Sequence, residues 1–184
     1  QYVVSNNCGN ISINNTTINA GSNANQFAFD VCGYAKYTAG VTVTVSGTSV
    51  INGKVEISKS AGNTEPMKLN ITGGTFNGDL KVDASVGTEN AKSIISVSGG
   101  TFSDPSVLKY MATNATVDIK LLSNINIAKT ELATGYILNA ANATANLNLN
   151  GHDIINSSET ADATPFTQIF TVQNGTLNIS GNGN

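Results

Sequence analysis

Leu69-Asn70-Ile71-Thr72-Gly73-Gly74-Thr75-Phe76 is the segment on which the fold turns. Leu69 and Ile71 alternate with Asn70 and Thr72, the period of a strand buried on one face. The glycine pair bends the chain where a side chain would clash or a positive φ is needed, and Phe76 then returns to the interior. Ile95-Ser96-Val97-Ser98-Gly99-Gly100-Thr101-Phe102 repeats the pattern, and Val43-Thr44-Val45-Ser46-Gly47-Thr48-Ser49-Val50 is a looser copy upstream. After the first two copies in chain order, a glycine leads into a second short strand, Gly53-Lys54-Val55-Glu56-Ile57 and Gly78-Asp79-Leu80-Lys81-Val82.

A unit of roughly 22 to 30 residues cannot bury its own apolar face, but stacked units share one core. The expected fold is therefore all-β, a right-handed parallel β-helix (solenoid) with an atypical N-terminal cap. A β-sandwich also gives short strands with regular turns and is the alternative. Matching residues at matching corners favour stacked coils over hairpins. The expected divisions are a capping region over 1–40, Gly-Gly-Thr-Phe repeats over 41–103, and a second block over 104–184.

Composition agrees with this reading. Charged residues make up 11% of the 184, against about 25% in ordinary soluble domains. Asn, Thr, Ser and 18 Gly supply the polarity instead, and Arg and Trp do not occur. Hydrophobic residues at 40% argue against natural disorder. Thr, Val and Ile suit pleated surfaces, while Asn and Gly suit bends and disfavour helices.

In the second block, Asp104-Pro105-Ser106 is a helix-start signal, with a short helical turn expected within 107–113. Strand patterns follow at 117–121, 125–127, 136–138, 147–151, 169–172 and 177–181. Loops are expected at 59–66, 84–92, 128–135 and 156–165, where two of the three prolines fall.

Net charge is −3 with a pI near 4.9, which gives no basic footprint for nucleic acid or anionic lipid. No apolar run approaches the ~20 residues that cross a bilayer. Gln1 reads as a processed or trimmed start, since neither an initiator Met nor a signal peptide precedes it.

Cys8 and Cys32 admit two readings: a disulfide closing an N-terminal loop in an oxidising compartment, or two buried thiols in neighbouring coils. With His152 distant in sequence they make no convincing metal set, so neither metal nor cofactor is expected. Nine asparagines head Asn-X-Ser/Thr sequons: Asn10, Asn14, Asn15, Asn70, Asn114, Asn142, Asn156, Asn174 and Asn178. They suit a secreted chain, although a sequence this rich in Asn, Ser and Thr produces several by chance. Tyr34 and Tyr37 lie near Phe29 and Cys32; exposed, they would stack on sugar rings, but core filling is the commoner fate of such residues.

Gly-Gly-Thr-Phe at 73–76 and 99–102, with Ser103-Asp104-Pro105-Ser106 after the second, resembles repeat regions of large bacterial and phage surface proteins. Leu147-Asn148-Leu149-Asn150-Gly151-His152-Asp153-Ile154, followed by Val172-Gln173-Asn174-Gly175-Thr176-Leu177-Asn178-Ile179-Ser180-Gly181, is similar to the opening coils of pectate-lyase-like right-handed β-helices. The resemblance covers roughly 41–184 and implies an extracellular, cell-surface or virion setting. In similar proteins further coils follow such a segment, so a fragment of a longer polypeptide, or an end capped by another segment or subunit, is expected.

The resemblance also raises catalysis, because such folds carry polysaccharide lyases and hydrolases. The lyases need an Arg or Lys base with calcium-binding carboxylates, and the familiar arginine is missing. The hydrolases need converging carboxylates, whereas the acidic residues here are scattered, with no Asp-Asp or Asp-X-Asp. His152, between Gly151 and Asp153, reads as a corner residue rather than an acid–base catalyst.

The expected function is a non-catalytic structural or adhesive module of a surface fibre, filament or virion, which associates with itself or with other structural subunits and contacts glycans. The alternatives are a carbohydrate-binding or polysaccharide-processing β-helix and a secreted filament subunit assembling by strand donation.

Overall fold

A computed structural model describes residues 1–23, 25–127, 135–156 and 168–183. Its 17 strands outweigh one short α-helix and one 3-10 helix among these residues. The first pass of the chain comprises β1 (Tyr2–Val4), β2 (Gly9–Asn14) and β3 (Thr17–Asn19). The second comprises β4 (Phe27–Gly33), β5 (Val41–Ser46) and β6 (Val50–Asn52), and the third β7 (Lys54–Lys59), β8 (Met67–Ile71) and β9 (Thr75–Phe76). In the fourth, β10 (Leu80–Val82) leads through α1 (Thr88–Ile94) to β11 (Ile95–Val97) and β12 (Thr101–Phe102).

These passes visit the same three sheets in the same order. Sheet 1 runs β1-β4-β7-β10 and sheet 2 runs β2-β5-β8-β11. Sheet 3 begins β3-β6-β9-β12 and continues through β13 (Thr116–Lys120), β15 (Tyr136–Asn148) and β17 (Phe170–Ser180). A two-stranded sheet pairs β14 (Ile125–Ile127) with β16 (Ile154–Asn156). Every strand pair among the described residues is parallel. A sandwich built from hairpins would pair its strands antiparallel, so the pairing departs from that alternative.

Register explains why the repeated octapeptides matter. Leu69 and Ile71 pair with Ile95 and Val97, and Thr75-Phe76 pairs with Thr101-Phe102. The Phe76 and Phe102 rings therefore stack, with centroids 5.0 Å apart and planes 12° from parallel. The second glycine of each pair is required at its corner. Gly74 has φ 95°, and a Cβ there would lie 2.9 Å from the Ser49 carbonyl oxygen. Gly100 has φ 117° and the same close approach, 3.0 Å, to the Gly74 carbonyl oxygen. Any side chain would push the passes apart.

Outer positions stack as well. Asn77 Nδ2 donates to Asn52 Oδ1, and Asn52 Nδ2 donates to Asn19 Oδ1, both at 2.7 Å. Farther along sheet 3, Asn178 Nδ2 donates to Asn146 Oδ1 at 2.9 Å, and Asn146 Nδ2 donates to Asp118 Oδ1 at 3.0 Å. Inside, residues of all three sheets form one apolar cluster that includes Phe29, Ile57, Leu69, Ile71, Phe76 and Leu147.

Several sequence expectations change. Residues 1–40, the expected capping region, supply β1 to β4, which pair in register with the later strands. The expected loop at 84–92 contains most of α1, where Glu89 and Lys92 form an i,i+3 ion pair at 2.9 Å. The helical turn takes the form of a 3-10 helix over Pro105–Tyr110, whose Asp104 cap accepts from Ser106 N at 2.6 Å. Segment 136–138 and the start of 147–151 belong to one long strand that ends at Asn148, and 169–172 and 177–181 fall on another, bounded by Phe170 and Ser180. Their pairing shifts register between Leu138 and Thr144, near Asn142 at φ 55°, so the bend occurs inside a continuous ladder. Expected loop residues 128–134 and 157–165 lie outside the described residues.

Candidate functional site

A gathering of polar and aromatic groups lies on sheet 1, where β1, β4 and β7 run side by side. Strand alternation creates it: Phe29, Val31, Val55 and Ile57 are buried inward, which turns Asp30, Cys32 and Glu56 to the other face. Asp30 and Glu56 are register partners on neighbouring strands. The sequence places them far apart, so only the parallel register brings the two carboxylates together.

Each carboxylate is already engaged. Asp30 is 2% exposed. It accepts from Asn6 N at 2.7 Å and from Ser5 Oγ at 3.2 Å. Burial, opposed by these bonds and reinforced by the Glu56 charge, holds the Asp30 carboxyl above the usual carboxylate range. The Tyr2 hydroxyl donates to Glu56 Oε2, while its ring stacks on Phe27 at 5.5 Å. Burial and the Glu56 contact push the Tyr2 phenol upward. Lys81 Nζ stands 5.3 Å from the Phe27 centroid.

Asn6 links this group to the neighbouring sheet. Its carbonyl accepts from Cys32 N at 3.2 Å, and its Nδ2 donates to Gly9 O and Thr42 O, both at 3.3 Å. Asp30 thus satisfies the backbone at a buried corner, where an unpaired N–H is costly. A second carboxylate, Asp79, is pushed up by burial and then by the Asp104 charge, but Asp104 caps the 3-10 helix.

Cys8 and Cys32 are free thiols in this structure, Cys8 exposed and Cys32 half-buried. The reading of two buried thiols does not describe Cys8. Burial pushes the Cys32 thiol up, opposed by a hydrogen bond with Ser58, which keeps it protonated and weakly nucleophilic. Tyr34 and Tyr37 are exposed at 36% and 45%. Their rings sit 5.7 Å apart and tilted, so core filling is corrected for both; Phe29 alone of the three fills the core.

The sequons divide by burial and bonding. Asn10, Asn14 and Asn174 are exposed, and Asn70 is half-buried. Asn15 Oδ1 accepts from Thr48 N at 2.9 Å. Asn142 Nδ2 donates to Asn114 Oδ1 at 3.2 Å, and Asn178 belongs to a ladder. The Asn156 side chain lies outside the described residues. His152 is half-buried in a turn, its N–H donating to Leu149 O at 2.9 Å. Among the described residues no three of His, Cys, Asp and Glu gather as a metal set, and no helix is long and apolar enough to cross a membrane.

The Asp30–Glu56 pair is invisible in the sequence because spacing alone does not reveal register. No protein-family model, curated protein or solved structure matches the chain.

Proposed function

We propose that the three sheets close into a right-handed parallel β-helix that serves as a non-catalytic structural or adhesive module of an extracellular fibre, filament or virion. The observation that carries this reading is the in-register stack. Three sheets are visited in one order, with amide ladders outside and a shared core inside. Such a stack lengthens by about 4.8 Å per pass, and parallel crossovers are right-handed in the great majority of proteins. A stiff rod displays whatever is attached to it. The glycine corners at 73–76 and 99–102 resemble those of bacterial and phage surface repeats. The exposed Tyr34–Tyr37 pair supplies a platform on which sugar rings can stack.

Imaging of intact particles or filaments from the native source tests this reading. Repeated copies within an ordered assembly support it; a free monomer that cleaves polysaccharide defeats it.

The polysaccharide-processing alternative draws on one observation, the adjacency of Asp30 and Glu56. Burial of Asp30 at a backbone corner works against substrate access. Incubation with a polysaccharide panel, read as new reducing ends or unsaturated products, separates the two. Assembly by strand donation would require a terminal strand to leave its neighbour, and here β1 pairs with β4 and β17 with β15.

A further inference from the structure

A cleft of about 570 Å³ opens over the outer side of sheet 2, between β8, β11, the end of α1 and the end of the 3-10 helix. Three of the nine basic residues of this acidic chain, Lys68, Lys92 and Lys109, line it, and no carboxylate does. A second hollow of about 330 Å³ shares Lys68, Ser93 and Ile94 with it and extends past Lys59, so the two make one trough, with the Glu65 carboxylate confined to the second hollow.

The fold holds these cations together against their mutual repulsion. Lys68 Nζ donates to Ser93 O at 2.9 Å, which fixes it at the end of α1. Lys92 pairs with Glu89, itself well exposed. Lys109 Nζ stands 5.0 Å from the Tyr110 ring centroid. Burial makes its ammonium easier to deprotonate, opposed by the Asp104 charge and, to a smaller extent, reinforced by the Lys92 charge. Tyr110 forms part of the same wall; it is 3% exposed, and its hydroxyl has no hydrogen-bond partner among the described residues. A buried hydroxyl without a partner costs free energy, and like charges held together repel.

We propose that this cleft binds a tetrahedral oxyanion, the sulfate ester of a sulfated glycan. Lysine ammoniums are point charges that suit a tetrahedral oxyanion, whereas a planar carboxylate is best met by an arginine fork, which this chain lacks. The trough has room for neighbouring sugar units, and Asn70 and Ser96 offer amide and hydroxyl groups along it. The inference adds a ligand to the display reading and does not depend on assembly.

Calorimetric titration of the full chain at low ionic strength tests it with four probes: sulfated dextran oligosaccharide, neutral dextran of equal length, oligogalacturonate and inorganic sulfate. Sulfated oligosaccharide should bind and neutral dextran should not. Lys109→Gln and Lys92→Gln should each weaken binding on the order of fivefold, while Lys120→Gln, on β13 and outside the lining of the cleft, leaves it unchanged. Melting curves confirm that the variants fold, and Lys92→Gln serves if Lys109→Gln does not. Inorganic sulfate binding as tightly as the oligosaccharide would overturn the glycan as source. Equal binding of oligogalacturonate, no binding of either sulfate form, or wild-type affinity in both cleft variants would overturn the oxyanion site.

Discussion

Leu69-Asn70-Ile71-Thr72-Gly73 and Leu177-Asn178-Ile179-Ser180-Gly181 are almost the same pentapeptide, and both form strands. Leu69 and Ile71 are fully buried, whereas Ile179 is 55% exposed. β8 lies between β5 and β11, but β17 has β15 on one side and ends its sheet. An edge position is not sufficient explanation, because Ile18, at the opposite end of sheet 3, is only 5% exposed. The first pass contributes a strand to each of the three sheets, so Ile18 shares a core with Ile13. Among the described residues β17 has no sheet 1 or sheet 2 strand beside it; Phe170 and Leu177 still pack against the core, but Ile179 stands past its cover. Burial here belongs to the completed pass and not to the pentapeptide.

The comparison breaks most readily at Ile71. Ile71→Ala should cost about 3–4 kcal/mol, as expected for a large-to-small change in a tight core, read as a lower denaturant midpoint by circular dichroism. Ile179→Ala should cost less than about 1 kcal/mol in the same assay, because little is removed from a packed interior. Comparable losses at both sites would show that β17 is as well covered as β8.

The ladders sharpen the same contrast at lower energy. Asn52 both donates and accepts, so Asn52→Ala should cost about 1–2 kcal/mol. Asn178 ends its ladder and only donates to Asn146, so Asn178→Ala should cost about half as much. Equal effects would mean that the outer amides act independently rather than as a chain.

The finest test uses pH at the first pass. The folded Asp30 carboxyl lies above its ordinary 3.8, so the native state holds this proton more tightly than the unfolded chain. Its contribution favours folding at low pH and is lost as pH rises from about 3.8 through the folded value. Asp30→Asn removes this dependence. The stability of wild type relative to Asp30→Asn should therefore fall between pH 3 and pH 7, measured by denaturation at each pH. A relative gain over that range would show that the Asn6 and Ser5 bonds outweigh burial.

Legibility followed the range of the interaction. The octapeptides announced their strands because alternation and glycine corners are local. α1 was missed although Glu89, Ala91 and Lys92 are helix formers, because the polar segment around them reads as a loop. The long β15 and β17 read as separate strands because Asn142 and Gly175 look like breaks, yet parallel neighbours carry the ladder through the bend. Tyr34 and Tyr37 follow Val31 and Cys32 closely, and nothing in their types distinguishes an exposed turn from a core.

The amino-acid order alone determined that this chain is β-rich, that its apolar residues alternate, and where glycine must turn it, since each depends on residues a few positions apart. The repeats already pointed to parallel stacking; tertiary structure alone decided that Asp30 meets Glu56, that three lysines border one cleft, and that Ile179 stays uncovered. Those outcomes depend on register between passes some tens of residues apart, and a short pattern of residue types carries no record of which neighbour will lie beside it.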